Sequence, residues 1–385
     1  MMSLPVDEVV STAFRCLILV YWLAAAVSAA LTLRAVSATG VGGNQHTRTR
    51  CPLAADSCTS VKKLLAQYTE FVAAASQRGK LHGGAALKAV RRGLIAEYLL
   101  QQSVPHAWFS HFYWLGIAST VATAFVLVAA ASDPSADGDG TAACAWSPAW
   151  TPRDRIADMR SYGCGWRLLA PVLPLVLFAA HVVRRLWETS VLFRSAKRGR
   201  KDCARMNAIG YVVGLSYYVA MPPSLVIDRI PFGMERLPCG PVAAAVLGAV
   251  VAAGIMIFAY GSLVQLRCHL YLATLKRNVA IEGTRAYAFP REGWFEHLAC
   301  PHYTSEIVMY AGLFLVVWGT SPALLRDDFA VPAASWLLAF AFVVCNLCVA
   351  GTATLRWYIS EFREHFDSDS SARPTMRYAV IPHVC

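Results

Sequence analysis

The chain has 385 residues, of which 56% are hydrophobic and only 15% are charged. Soluble domains carry about 25% charged residues, and several apolar runs of this chain approach or reach the roughly 20 residues that cross a bilayer. The composition therefore excludes a soluble globular protein. The formal net charge of +11 is interpreted as Lys and Arg in cytosolic loops and not as a nucleic-acid-binding surface.

The distribution of apolar residues predicts an all-α integral membrane protein with seven membrane segments. In chain order they cover approximately residues 13–35, 108–131, 168–183, 208–227, 242–263, 307–324 and 333–355. The third segment is the shortest and contains Pro171 and Pro174, so we expect it to be kinked or wedged between its neighbours.

Loop charge predicts the orientation of these segments. Lys and Arg dominate the connections between segments one and two, three and four, and five and six, whereas the other connections are acidic or nearly neutral. Because basic loops remain in the cytosol, we expect a cytosolic C-terminus and a lumenal N-terminus. The first basic connection contains an insert-like, Gly/Ala/Thr-rich stretch at residues 37–96.

The stretch 294–310, WFEHLACPHYTSEIVMY, concentrates polar and titratable groups at the entry to the sixth segment. Removing such groups from water is costly unless something polar meets them there. The third, fifth and seventh segments also end on the cytosolic side with basic and aromatic residues, among them Arg185. Arginine side chains suit phosphate oxygens and aromatic rings suit stacking, so these ends together predict a site for a nucleotide cofactor.

Known nucleotide-binding motifs are absent. The chain contains neither G-x-G-x-x-G nor G-x-x-x-x-G-K-[ST], which argues against a Rossmann fold and a P-loop. Cys345 and Cys348 lie in an apolar segment without a partnering Cys or His pair, so no metal site is predicted.

Several blocks resemble the steroid 5α-reductase family, and within it most closely the polyprenal reductase branch. The resemblance covers residues 105–385 and is carried by the blocks WFSHFY at 108–113, RRLWE at 184–188, CH at 268–269 with LKRN at 275–278, FPREGWFEHLACPHYTSE at 289–306, WY at 357–358 and IP at 381–382. It implies a seven-transmembrane helix bundle of the steroid 5α-reductase type. Residues 1–104 would add a first helix and a basic loop to a six-helix core at 105–385, whose C-terminal domain begins near residue 206.

The resemblance also implies chemistry. Family members are NADPH-dependent reductases of a carbon–carbon double bond conjugated to a carbonyl, embedded in the endoplasmic reticulum membrane. The residues expected to contact the cofactor are Arg185, Gln265, His269, Lys276, His302, Glu306 and Tyr358. The acid that assists the substrate carbonyl is expected among His111, Tyr113 and His302, because such groups stabilise the charge that develops on the oxygen.

Departures from the steroid enzymes favour polyprenal as the substrate. The Gln-Glu pair that lies near the carbonyl in those enzymes is absent, and Val182 stands where they have a Tyr. The predicted function is NADPH-dependent reduction of the α-unsaturated isoprene unit of polyprenal, which supplies dolichol for protein N-glycosylation. A steroid or enoyl-CoA reductase of the same family and a lipid transporter are the alternatives. The expected partners are the long-chain isoprenoid and the bilayer, with no nucleic acid.

Overall fold

The computed structural model describes residues 6–38, 102–131, 162–193, 205–229, 241–282, 287–321, 330–363, 366 and 378–382. Within these ranges the chain forms seven long helices. They are α1 (Val6–Ala38), α2 (Ser110–Ala131), α3 (Tyr162–Trp187), α4 (Ala208–Leu225), α5 (Pro241–Glu282), α6 (Pro301–Thr320) and α7 (Ala330–Glu361). Each one overlaps one predicted segment. Most of the insert-like stretch at 37–96 lies outside the described residues.

Four stretches of the described chain are long and apolar enough to cross a membrane. They are Thr12–Thr32, Ala107–Ala129, Ala245–Val279 and Ala330–Glu361, and they lie in α1, α2, α5 and α7. The protein is therefore a mostly helical, multi-pass membrane protein. That α3, α4 and α6 also cross the bilayer, which would make seven spans, stays a prediction.

Several helices extend beyond their predicted bounds, and the extensions of α5 and α6 contain predicted site residues. The fifth segment was expected to end near residue 263, but α5 continues to Glu282. The sixth was expected to begin near residue 307, but α6 begins at Pro301. Hydropathy alone ended both segments at polar residues, whereas the folded chain gives Gln265, His269 and Glu306 hydrogen-bond partners, so the helices continue through them.

The chain divides into two compact units. The described part of the larger one comprises 6–38, 113–131, 162–193, 218–229, 241–282, 287–321, 330–363, 366 and 378–382, and that of the smaller one comprises 102–112 and 205–217. In the smaller unit, β1 (Ser103–Pro105) pairs antiparallel with β2 (Arg205–Asn207). Asn207 then caps α4, because its Oδ1 accepts from the backbone N–H of Ile209 at 2.8 Å. A strand of three residues is too short to show the alternation of polar and apolar residues from which strands are predicted.

In the larger unit, α1 packs along α7 and α3 contacts α6. Trp22 of α1 is fully buried and donates its indole N–H to the Ser224 hydroxyl at 2.8 Å, while the Ser224 carbonyl accepts from the indole of Trp336 at 2.8 Å. Two tryptophans from α1 and α7 are thus fixed to the end of α4. Buried indole N–H groups need such acceptors, because no water satisfies them inside a membrane bundle.

Helix α5 packs most closely against α6, and glycines allow the approach. A Cβ atom at Gly261 would lie 2.7 Å from the Met309 nitrogen and the Ser305 oxygen, and one at Gly254 would lie 2.8 Å from the Gly312 oxygen. Small residues that bring backbones together are the usual means of packing membrane helices. This close approach fixes the polar residues of α5 against those at the start of α6.

Candidate active site

Helix α6 begins within the polar stretch 294–310, and the C-terminal segment 378–382 forms hydrogen bonds with the residues just before the helix. Pro301 occupies the first turn, where its missing N–H costs nothing. The backbone N–H groups of Ala299 and Cys300 donate to the carbonyls of Tyr378 and Ala379, both at 2.9 Å. The residues after Cys300 are thereby positioned by a segment almost 80 residues further along the chain.

Helix α3 ends in a single π-helical turn, Glu188–Leu192. Such turns are frequent at functional sites, and here the side chain of Glu188 is completely buried. Arg184 Nη1 and Arg185 Nη1 each donate to one oxygen of Glu188 at 2.5 Å, and His269 Nδ1 lies 2.7 Å from Oε2. One carboxyl therefore orients two arginines of α3 and a histidine of α5.

A second set of hydrogen bonds continues from α3 to α6. Arg184 Nη2 donates to Gln265 Oε1, and Gln265 Nε2 donates to Glu306 Oε2 at 2.8 Å and to the His302 carbonyl at 3.3 Å. The His302 ring lies beside the His269 ring with 5.4 Å between centroids. The order Glu188–Arg184–Gln265–Glu306 thus joins three helices in one hydrogen-bonded chain, which we call the α3–α5–α6 network.

Six of the nine predicted site residues lie close together, and the other three do not. Arg185, Gln265, His269, His302 and Glu306 lie together in or beside this network. Tyr113 joins them, because Arg185 Cζ lies 5.6 Å from the centre of its ring.

The other predicted residues lie elsewhere. Tyr358 belongs to a buried apolar cluster with Cys300 and Val380, and Lys276 is exposed on α5. His111 belongs to the smaller unit, where its Nδ1 lies 2.9 Å from the Tyr211 hydroxyl. Their assigned roles stay predictions.

Sequence reasoning did not select His181, Arg184 and Glu188 as site residues. The signal was present, because His181, Arg185 and Glu188 recur at helical spacing on one side of α3. That pattern is also typical of a basic anchor with an ion pair facing the cytosol. Only the burial of Glu188 and its contact with α5 distinguish the two interpretations.

Burial by itself would raise the pKa of Glu188, but its hydrogen-bonded and charged partners lower the pKa by more. The hydrogen bond from His269 and the guanidinium charges of Arg185 and Arg184 lower the pKa of Glu188 to about 2, below its ordinary value. The carboxyl is therefore ionised at neutral pH, and it holds the two arginines in fixed positions at the end of α3.

The network leaves polar atoms that a ligand could satisfy. His181 Nε2, Arg184 Nε and His302 Nδ1 are buried and have no hydrogen-bond partner within the described residues. Buried polar groups are normally paired, and the exceptions call for an explanation such as a catalytic role. Two arginines, histidines and a half-buried Glu306 fit a ligand that carries phosphates and also donates hydrogen bonds, as a nicotinamide dinucleotide does.

Comparison with known proteins finds matching sequences for most of the chain. A family model described as 3-oxo-5-alpha-steroid 4-dehydrogenase matches residues 246–385. Polyprenal reductase 1 of Oryza sativa subsp. indica is 31% identical over 315 residues, which cover 74% of this chain and 80% of the relative. Polyprenal reductase 1 of Arabidopsis thaliana is 30% identical over 303 residues, covering 73% and 82%. Steroid 5-alpha-reductase DET2 of Arabidopsis thaliana is 29% identical over 133 residues, covering 34% and 40%.

Proposed function

The chain belongs to the steroid 5α-reductase family, and we propose that it reduces the α-unsaturated isoprene unit of polyprenal and so supplies dolichol for protein N-glycosylation. It is an oxidoreductase that acts on a CH–CH group. The substrate is proposed from the similarity to polyprenal reductases, which extends over about three quarters of this chain. The steroid reductase matches only about one third of it.

Reductases of this family use NADPH in general, and we propose the same cofactor here. Arg185, Gln265, His269, His302 and Glu306 would hold it at the cytosolic end of the larger unit, with Lys276 and Tyr358 as further contacts. The unpartnered His302 Nδ1 and the two arginines beside Glu188 support this assignment. The enzyme would lie in the endoplasmic reticulum membrane with its C-terminus in the cytosol, where NADPH is available.

The chemistry needs a conjugated carbonyl, which favours the aldehyde over the alcohol. When bound, NADPH supplies the hydride that adds to the β-carbon of the aldehyde. Negative charge would develop on the aldehyde oxygen, and a hydrogen-bond donor of this chain would stabilise it. His111, Tyr113 and His302 are the candidates, and Arg185 beside the Tyr113 ring adds positive charge. The α-carbon then takes a proton, which completes the saturation.

Three substrates distinguish this proposal from its alternatives. Membranes containing the full chain would receive polyprenal, a 3-oxo-4-ene steroid or a trans-2-enoyl-CoA, each with NADPH, and the products would be measured by mass spectrometry. We expect saturation of polyprenal alone, and we expect His302→Ala to reduce it by at least about 100-fold. Reduction of the steroid or the thioester in place of polyprenal would contradict the assignment. A lipid transporter would convert none of the three substrates.

A further inference from the structure

His181 of α3 carries a hydrogen-bond donor that no described residue uses. Its side chain is 1% exposed, and its ring packs against Tyr310 with 5.7 Å between centroids. Arg184 Nη2 lies 3.3 Å from His181 Nδ1. A guanidinium can only donate, so Nδ1 accepts, and the proton of the neutral imidazole is on Nε2. That Nε2–H is buried and has no acceptor within hydrogen-bond distance in the described part of the chain.

Glu306 of α6 presents an acceptor beside this donor. The Gln265 amide has a fixed orientation, because its oxygen accepts from Arg184 and its nitrogen must therefore face Glu306. The Oε2 atom of Glu306 accepts that N–H, and Oε1 faces His181 Nε2 at 4.0 Å. This distance is too long for a hydrogen bond. Donor and acceptor thus lie side by side without bonding each other.

We propose that His181 Nε2–H and Glu306 Oε1 together bind a primary carboxamide, namely that of the nicotinamide ring, with its carbonyl oxygen on His181 and its amino group on Glu306. This subsite rests on the proposed use of NADPH. A carboxamide carries an acceptor and a donor on one carbon, which matches the pair. The aldehyde of polyprenal carries only an acceptor, and it would leave Glu306 Oε1 facing a carbonyl oxygen. Two contacts on the carboxamide also determine which face of the ring is turned towards the substrate.

The consequence can be measured by binding, without turnover. The 3-acetylpyridine analogue of NADP⁺ keeps the carbonyl and replaces the amino group by a methyl group. The full chain, purified in detergent, would be titrated with NADP⁺ and with the analogue while its tryptophan fluorescence is recorded. We expect the wild-type protein to bind NADP⁺ about tenfold more tightly, which is the size of one hydrogen bond to a charged group.

Substitutions of Glu306 and of His181 should change the binding of the two nucleotides in different ways. Glu306→Gln should remove the preference for NADP⁺, because Gln265 fixes the new amide so that an N–H₂ faces the ligand. His181→Phe should weaken both nucleotides by about the same factor and keep their ratio, since both retain the carbonyl. His181→Gln should restore most of the affinity, because its amide nitrogen can take the place of Nε2.

The control is His297→Phe, which changes an exposed histidine just before α6 and should leave both affinities unchanged. Equal affinity of the wild-type protein for the two nucleotides, or unchanged binding by His181→Phe, would overturn the carboxamide subsite while leaving NADPH as the cofactor. A His181→Phe protein that is altered only in its KM for polyprenal would assign the donor to the aldehyde instead. No NADP⁺ binding by the wild-type protein would overturn both proposals.

Discussion

At the scale of single residues, Glu188 is the group on which most of the site depends. It is fully buried and contacts Arg184, Arg185 and His269. Burying an ionised carboxyl is unfavourable unless it is paired and hydrogen-bonded, and all three of these side chains pair with Glu188. Removing the charge would leave two arginines without their counter-ion at the end of α3.

We predict that Glu188→Gln lowers the stability of the protein in a pH-dependent way. The pKa of Glu188 is about 2 in the folded protein and 4.5 without the fold. Its contribution is therefore complete above about pH 5 and is lost as the pH falls from 4.5 towards 2. Breaking a buried ion pair costs about 3 kcal/mol. Thermal unfolding in detergent should show a large difference between the two proteins at pH 7 that shrinks by more than half at pH 3.

Glu292→Gln is the matched control, because this glutamate is exposed on the segment before α6. Its unfolding temperature should follow that of the wild-type protein at both pH values. A Glu188→Gln difference of the same size at pH 7 and pH 3 would show that the carboxyl charge contributes nothing.

At the scale of the elements, the position of the site depends on how closely α5 packs against α6. The backbones meet where Gly261 lies against Ser305 and Met309. Gln265 is one turn further along α5, and Glu306 is one residue after Ser305. The hydrogen bond of 2.8 Å between Gln265 and Glu306 exists only at this separation of the helices.

We predict that Gly261→Ala separates the two helices and weakens nucleotide binding. The new methyl group would meet backbone atoms at 2.7 Å, which cannot move independently. Overpacking of this kind costs about 1–3 kcal/mol. The matched control is Gly248→Ala on the same helix, where a Cβ meets nothing within 4 Å of the described residues. The unfolding temperature and the Kd for NADP⁺ should change only in the first variant, and equal behaviour of the two would contradict the packing argument.

At the scale of the whole molecule, the number of membrane crossings decides where the termini lie. Four described stretches meet the requirements of length and hydropathy for a span, whereas the distribution of apolar residues along the sequence predicts seven. Each crossing changes the side, so an odd number places the termini on opposite faces and an even number places them on the same face.

We predict opposite faces, with the C-terminus in the cytosol. In sealed microsomes, protease added from outside should remove a tag at the C-terminus and spare a tag at the N-terminus. Detergent should make both tags accessible, which controls for the protease. Cleavage of both tags in sealed vesicles would contradict the seven-span topology.

The sequence by itself determined the class of protein, the seven helices and most of the polar residues that the fold brings close together around Glu188. Membrane helices satisfy their own backbone hydrogen bonds, so apolar length and loop charge predict them locally. The polar stretch around His302 and Glu306 stood out for the same reason, because such groups are costly beside a membrane segment unless they are partnered.

Only the tertiary structure decided which polar residues work together. The continuation of α5 to Glu282 and the start of α6 at Pro301 depend on contacts between helices, which hydropathy does not record. The roles of His181, Arg184 and Glu188 likewise depend on α3 facing α5 and α6. Spacing along one helix predicts which side chains share a side of it, whereas burial and the neighbouring helix decide whether that side is a basic anchor or part of a site.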